Sequence, residues 1–386
     1  MKKTLKILIA GGGTSGHISP ALAVIGALRE MADADFDPQF LYIGCHSGLE
    51  NQIIPAHGIP LVNIETGKLR RYLSSENLRD LFRVPVGTKQ ALRIIKDFAP
   101  DVVFSTGGYV AVPAVWAAKL RGVPVLMHEQ TVQIGLANRL IAPFATRIAL
   151  SFESARSELS SSAQKKAFVS GNPVRSSILN GDADKARKWC GFDPHNTDFQ
   201  TLYITGGSQG SQRINHAILE ILAPLLEQCQ VIHQCGKQTG ETQDEDLLKA
   251  AIEKLPAELR NRYFVTDFIR DELADVFALS DFVLGRSGAG TVAELCLLGK
   301  PALYIPLVPT GGDEQTRNAK MCEQIGAAEI LAQIELTPEK LLHRLKVLLS
   351  NPPKLEKMSQ AALKLAKPHA AQTLAEMLVE MGNEKT

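Results

Sequence analysis

Gly11, Gly13 and Gly16 follow an apolar run and immediately precede His17 in LKILIAGGGTSGHISPALAV, residues 5–24. G-x-G-x-x-G between a strand and a helix is the spacing of a phosphate loop. Its glycines let backbone N–H groups approach an anion, and the helix N-terminus adds positive potential. A dinucleotide loop also needs an acid at the end of the second strand to hold a ribose. Here the second apolar run, QFLYIG, leads into Gly44, Cys45 and His46, while Asp33, Asp35 and Asp37 precede it. The nicotinamide reading therefore lacks its second requirement, but the phosphate-cradling part stands. A suitable acid occurs in the other half: Glu294, just inside the helix expected to open at SGAGTVAEL. As a first-turn acid it favours the helix dipole by about 0.3–1 kcal/mol. As a ligand it would grip a ribose diol while the glycine turn cradles a diphosphate. A nucleotide in the C-terminal half and a second substrate in the N-terminal half is the logic of a sugar-nucleotide transferase.

The elements that must position these groups alternate along the chain. LKILIA, QFLYIG, DVVFST, VPVLMH, TRIALS, FQTLYIT, VIHQCG, RYFVTDF, DFVLGR and PALYIPL read as buried parallel strands with helical segments between several of them. The chain also resembles itself. Residues 5–24 have a counterpart in TLYITGGSQGSQRINHAIL (201–219), and DVVFSTGGYVAVPAVWAAKL (101–120) has one in DFVLGRSGAGTVAELCLLG (281–299). Each half thus carries two glycine turns at carboxyl ends of strands, the ligand-binding edge of a doubly wound sheet. The expected fold is α/β, with two Rossmann-like domains of parallel sheet facing a cleft. The boundary falls in VSGNPVRSSILNGD (169–182), giving residues 1–174 and 175–361 as domains. The helical tail after NPPK is expected to pack back on the first domain over about residues 362–386.

Bulk properties fit this plan. The chain has 386 residues, too many for one ordinary core, and 45% hydrophobic with 22% charged residues is a globular composition. A net charge of +1 argues against a nucleic-acid-coating surface. MKKTLKILIAGGG imitates a signal peptide, but Lys6 interrupts the apolar run and glycines replace a cleavage site. No stretch approaches the 18 apolar residues of a membrane span. The six cysteines include no C-x-x-C pair, so neither zinc nor a disulfide framework is expected.

In order along the chain, GGGTSGHISPALAV, STGGYVAVPA, HEQ with GLANRL, GNPVR, GGSQGSQRIN, VTDFI, RSGAGTVAEL and DEQTRNA resemble the MurG family over nearly the whole length. The resemblance implies the GT-B fold and transfer of N-acetylglucosamine from UDP-GlcNAc to the C4 hydroxyl of the muramic acid in lipid I, forming lipid II for peptidoglycan synthesis. It implies that Ser208 meets the diphosphate and Ile269 reads the uracil by its backbone. Ala289, Gly290, Thr291, Val292, Ala293 and Glu294 wrap the phosphates and ribose, with Glu294 on the ribose hydroxyls. Gln315 contacts the GlcNAc hydroxyls, and Arg175 reaches the nucleotide from the interdomain hinge. Thr14, Ser15 and Gly16 close over the sugar and diphosphate. Ser15 replaces the glycine of the family's GGTGGH, and Thr131 replaces the asparagine of HEQN that touches the donor sugar. Glu314 stands where some members carry another glutamine.

Transfer by direct, inverting attack needs a base for the acceptor hydroxyl and stabilisation of departing UDP. His17 is the first candidate base, set against a role in positioning the loop or the acceptor diphosphate. Glu129 of HEQ is the second. His128 is read as structural, and His233 as either. The glycine turns can hold a diphosphate without a metal; DAD at 182–184 is read as surface, and neither a metal nor another cofactor is expected. A lipid acceptor implies a membrane. Residues 68–96 carry Lys68, Arg70, Arg71, Arg79, Arg83, Lys89, Arg93 and Lys96 with Leu78, Leu81, Phe82 and Val84 between them. That is the composition of an interfacial anchor on anionic lipid, implying peripheral attachment to the cytoplasmic face of the bacterial inner membrane. The rivals are a glycosyltransferase with a soluble acceptor, a UDP-GlcNAc 2-epimerase and a nicotinamide oxidoreductase.

Overall fold

A computed structural model describes residues 3–32, 36–67, 75–194, 199–237, 243–308 and 313–384. The chain divides into two compact units. One comprises residues 1–176 with 367–386, and the other residues 177–366.

The first unit is built on seven parallel strands: β1 (Lys3–Gly11), β2 (Phe36–Cys45), β3 (Leu61–Ile64), β4 (Val102–Gly107), β5 (Val125–Glu129), β6 (Arg147–Leu150) and β7 (Ala167–Val169). Their order is β3-β2-β1-β4-β5-β6-β7. The direction of winding reverses between β1 and β4, so the loops leaving these two neighbours diverge and open a crevice at their carboxyl ends. Helices α1 (Ser15–Glu30), α2 (Glu50–Ala56), α3 (Ser75–Phe98), α4 (Ala111–Leu120) and α5 (Leu136–Ile141) supply crossovers. Strands β4 and β5 are buried along their whole length because helices cover both faces, and each opens on an apolar run, VVF and VLM. On one face Ala91 and Ile95 of α3 join Val110–Val115 and Ile141. On the other, Ile18, Val24 and Leu28 of α1 pack with Leu374, Leu378 and Met381 of the C-terminal Ala370–Asn383 helix.

The second unit repeats the plan with β8 (Thr201–Thr205), β9 (Gln230–Gln234), β10 (Tyr263–Thr266), β11 (Phe282–Gly285), β12 (Ala302–Tyr304) and β13 (Ala328–Ile330). The order is β10-β9-β8-β11-β12-β13, with every pair parallel. Its reversal lies between β8 and β11. The four glycine turns of the sequence are therefore the two loops of each switch point. Three short strands, β3, β7 and β13, of three or four residues each, carry at most three apolar residues in a row and are absent from the sequence reading; all three lie at sheet edges. An edge strand is covered less completely, so Val62 and Val169 stay exposed and the apolar signal thins.

The basic-apolar segment resolves in part. Residues 68–74, with Lys68, Arg70 and Arg71, and the side chains of Leu78, Arg79, Leu81 and Phe82 lie outside the described residues. In the remainder of α3, Arg83, Lys89, Arg93 and Lys96 are exposed. Val84 is a correction to the interfacial reading: it is 6% exposed and belongs to the core, because it shares the inward face with Ala91 and Ile95 at helical spacing. Among the described residues no helix is long and apolar enough to cross a membrane.

Candidate active site

In the first unit the chain leaves β1 at Gly11, turns through Gly12 and Gly13, and enters α1 at Ser15. A carboxylate fixes the turn from beneath. Glu50, fully buried at the start of α2, accepts the Gly13 N–H at 2.8 Å and the Cys45 N–H at 2.9 Å. A Cβ on Gly12 would lie 2.5 Å from Glu50 Oε1, so glycine is what lets the loop descend onto the acid. The sequence reading sought an acid directly at the end of β2 and missed Glu50, five residues past Cys45. Its signal was an acid opening a short helix in GLENQ. The acid serves the loop backbone, which is why no ribose-binding position was found at the strand end.

His17 lies in the first turn of α1, half-buried. Its Nδ1 is 2.8 Å from the Thr106 carbonyl oxygen, and Thr106 Oγ1 donates to the His17 carbonyl at 2.8 Å. A carbonyl only accepts, so Nδ1 carries a hydrogen, and with that nitrogen engaged Nε2 is the one left to take up a proton. Gln130 Nε2 donates to the same Thr106 oxygen at 2.8 Å. The ring rests on Gly107 and Gly108, whose φ values are +93° and +80°. A Cβ on Gly108 would meet the Gly12 carbonyl at 2.5 Å and the imidazole Cδ2 at 3.3 Å. The two switch-point loops thus interlock around His17.

The HEQ stretch forms the wall behind it. His128 is fully buried. Its Nε2 donates to the Gly171 carbonyl at 3.0 Å, and Nδ1 accepts from Gln130 at 3.1 Å. Burial lowers its pKa to about 4. Glu129, 2% exposed, accepts from the Gly135 N–H and Asn138 Nδ2, each at 2.9 Å, and from the Thr131 N–H at 3.2 Å. Burial raises its pKa, against the pull of these donors. A carboxylate so engaged shapes the β5–α5 loop and has no oxygen turned toward solvent. Thr131 turns its hydroxyl back toward Glu129 and the Gln133 carbonyl. Thr14 and Gly16 are exposed on the loop, Ser15 is half-buried, and Arg175 is exposed near the end of the unit.

In the second unit the Gly206–Ser211 loop leaves β8, with Ser208 half-buried. Here close packing demands glycine again, since a Cβ on Gly210 would fall on the Cys235 carbonyl. Gln234 Nε2 binds the Gly207 carbonyl at 3.3 Å, and Gln234 Oε1 accepts the Ile269 N–H at 3.0 Å. A base docking at Ile269 is therefore left its carbonyl. His233 is fully buried, donating from Nε2 to Asn215 and accepting from Tyr263 at Nδ1; burial lowers its pKa to about 3. This satisfied network is structural. The loop after β11 opens the Ala289–Leu297 helix, whose N-cap residue is Gly288. Ala289 and Val292 are buried; Gly290, Thr291, Ala293 and Glu294 are half-buried, and because the helix begins at Ala289, Glu294 lies in its second turn and not in the first as the sequence suggested. Gln315 Oε1 accepts the Leu307 N–H at 3.0 Å, leaving its NH2 as the group free to turn outward. Asp182 caps the helix after it by accepting from the Asp184 and Lys185 N–H groups. Among the described residues no cluster of three or more His, Cys, Asp or Glu side chains could hold a metal.

Two parallel α/β units, each with paired glycine loops at its switch point, have the architecture of the GT-B fold, which many glycosyltransferases adopt. The MurG crystal structure from Acinetobacter baumannii superposes with TM-score 0.72 at 28% identity, covering 97% of this chain and 99% of that one. A UDP-GlcNAc 2-epimerase from Neisseria meningitidis, solved with UDP-GlcNAc, shares the fold alone: TM-score 0.67 at 16% identity, covering 98% and 100%. Residues 7–150 match the glycosyltransferase family 28 N-terminal domain and residues 201–374 its C-terminal domain. The UDP-N-acetylglucosamine--N-acetylmuramyl-(pentapeptide) pyrophosphoryl-undecaprenol N-acetylglucosamine transferase of Geobacillus thermodenitrificans is 39% identical over 345 residues, 88% of this chain and 90% of the relative. The chain belongs to the MurG family.

Proposed function

We propose that this chain transfers N-acetylglucosamine from UDP-GlcNAc to the C4 hydroxyl of the muramic acid in lipid I, forming lipid II, with His17 as the base. The observation that carries the site assignment is the fixed tautomer of His17. Its Nδ1–H is held by the Thr106 carbonyl, so Nε2 is the basic atom beside the glycine loops. The acceptor oxygen attacks the anomeric carbon and its proton passes to Nε2. The C1–O bond to the diphosphate breaks and UDP departs with the bonding pair, inverting the anomeric centre. Glu129 is a positioning residue in this scheme, holding the loop that carries Thr131 and Asn138.

The first unit takes the acceptor and the second the donor. Ser208 meets the diphosphate, the 289–294 segment wraps the phosphates and ribose with Glu294 on the ribose hydroxyls, Ile269 takes the uracil, and Gln315 and Thr131 the GlcNAc, with Arg175 on the nucleotide and Thr14, Ser15 and Gly16 over the sugar. Residues 68–96 rest on anionic lipid at the cytoplasmic face of the inner membrane. The test is transfer of labelled GlcNAc to a lipid I analogue by purified protein, with and without chelator. Transfer that persists with chelator is expected. Conversion of UDP-GlcNAc alone to UDP-ManNAc, with no transfer, would replace this reading by an epimerase.

A further inference from the structure

Arg286 follows β11 in the loop that opens the Ala289–Leu297 helix, and it is 7% exposed. Its Nη1 donates to the Ile305 carbonyl at 2.7 Å and its Nη2 to Ser211 Oγ at 2.8 Å. Both partners are neutral, and among the described residues no carboxylate pairs with it. The charged group that acts on it is Arg213, a like charge; burial and then Arg213 lower its pKa to about 10. Arg213 itself stands in the first turn of the Gln212–Glu220 helix, where a cation opposes the dipole and no acid offsets it. A buried guanidinium on neutral oxygens is costly for the fold, and an apolar side chain of similar size would serve packing better. Positive potential is thus concentrated beneath one loop. Arg286 also ties that loop together: Ser211 caps the helix by accepting the Ile214 N–H, and Ile305 begins the segment after β12 that leads toward Gln315.

We propose that Arg286 is a positioning residue for the donor diphosphate, its uncompensated charge answered only when the phosphates occupy the Gly206–Ser211 loop. This rests on the donor assignment above. It holds Ser211 and Ile305 in place and sets a fixed positive charge where negative charge grows as UDP leaves.

The test compares uridine, UMP and UDP binding by calorimetry, with thermal unfolding of the ligand-free protein, for wild type, Arg286→Met and Arg286→Lys. Wild type should gain affinity from uridine to UDP. In Arg286→Met uridine binding should stay within about twofold while UDP weakens roughly 10–100-fold. The ligand-free variant should fold and melt near the wild-type temperature, because removing the buried charge offsets the hydrogen bonds that Ile305 and Ser211 lose. Arg286→Lys should recover part of the UDP gain, keeping the charge without the forked geometry. Equal losses for uridine and UDP, an unchanged UDP gain, or an Arg286→Met chain that does not fold would overturn the inference, the last because the charge would then serve the fold. Wild type that binds none of the three would sink the donor assignment itself, whereas a wild-type UDP gain retained in Arg286→Met sinks only the role of Arg286.

Discussion

Glu50 offers the sharpest test of how the first glycine loop is held. Its carboxylate serves two backbone donors, Gly13 N–H at 2.8 Å and Cys45 N–H at 2.9 Å, with no exposure to water. In Glu50→Gln the shape is kept, but the amide has one carbonyl for two N–H groups, and its NH2 must face the second. One buried donor is left unpaired, which costs about 1–3 kcal/mol. Loss of a first-turn acid from α2 adds roughly 0.3–1 kcal/mol. For a domain of this size the combined loss corresponds to roughly 3–16 °C in Tm. The same change frees Gly13 to rotate, so the loop before His17 loses its shape even where the domain survives. Thermal unfolding and steady-state transfer to a soluble lipid I analogue read the two consequences. The expected result is a lower Tm together with a raised acceptor KM or reduced kcat. A Glu50→Gln protein with wild-type Tm and wild-type kinetics would refute the reasoning that this acid organises the loop.

Replacing His17 by Ala should lower kcat by about 10²–10⁴ and leave the donor KM near wild type, as for loss of a general base; an equal rise in donor KM would point to a binding role. Stability should fall with acidity below pH 6.5, where the unfolded chain takes up protons that buried His128 and His233 refuse until about pH 4 and about pH 3. At 1.36 kcal/mol per pKa unit each contributes roughly 3–5 kcal/mol across its window, so urea midpoints that stay flat from pH 6.5 to 4.5 would contradict it. His233→Gln, which still offers Asn215 a donor and Tyr263 an acceptor, should flatten that slope. Glu294→Ala should weaken UDP-GlcNAc roughly 10–150-fold, the loss of hydrogen bonds to a charged group, and an unchanged donor KM would end the ribose assignment. Changing Arg79 and Arg83 to Glu with Phe82→Ser should reduce sedimentation with anionic vesicles, since each basic residue near such a surface contributes about 1 kcal/mol. The same triple variant should keep its activity on a water-soluble acceptor; undiminished vesicle binding would move the membrane face elsewhere.

The sequence by itself determined the alternation of strands and helices, the two-fold repetition and the four glycine turns. These are local properties. A buried parallel strand must be apolar along its run, and a tight strand-to-helix turn must spend glycine, so both leave marks within a few residues. The marks fail at the edges, where half-covered β3, β7 and β13 need no continuous apolar run. The candidate base was also visible, because His17 directly follows the first glycine turn in the sequence.

What only the tertiary structure decided is which groups meet. Strand order makes β4 the neighbour of β1, and that brings Thr106 to His17 and Gly108 against Gly12 across about ninety residues. It sets Glu50 under Gly13 and Arg286 against Ser211, pairs with no sequence signature, because a hydrogen bond constrains distance in space and leaves separation along the chain free. Burial made the same kind of decision for HEQ. Glu129, read as the second candidate base, stands with His128, read as structural, and Gln130 in one hydrogen-bonded wall, since a polar group sealed from water must be bonded.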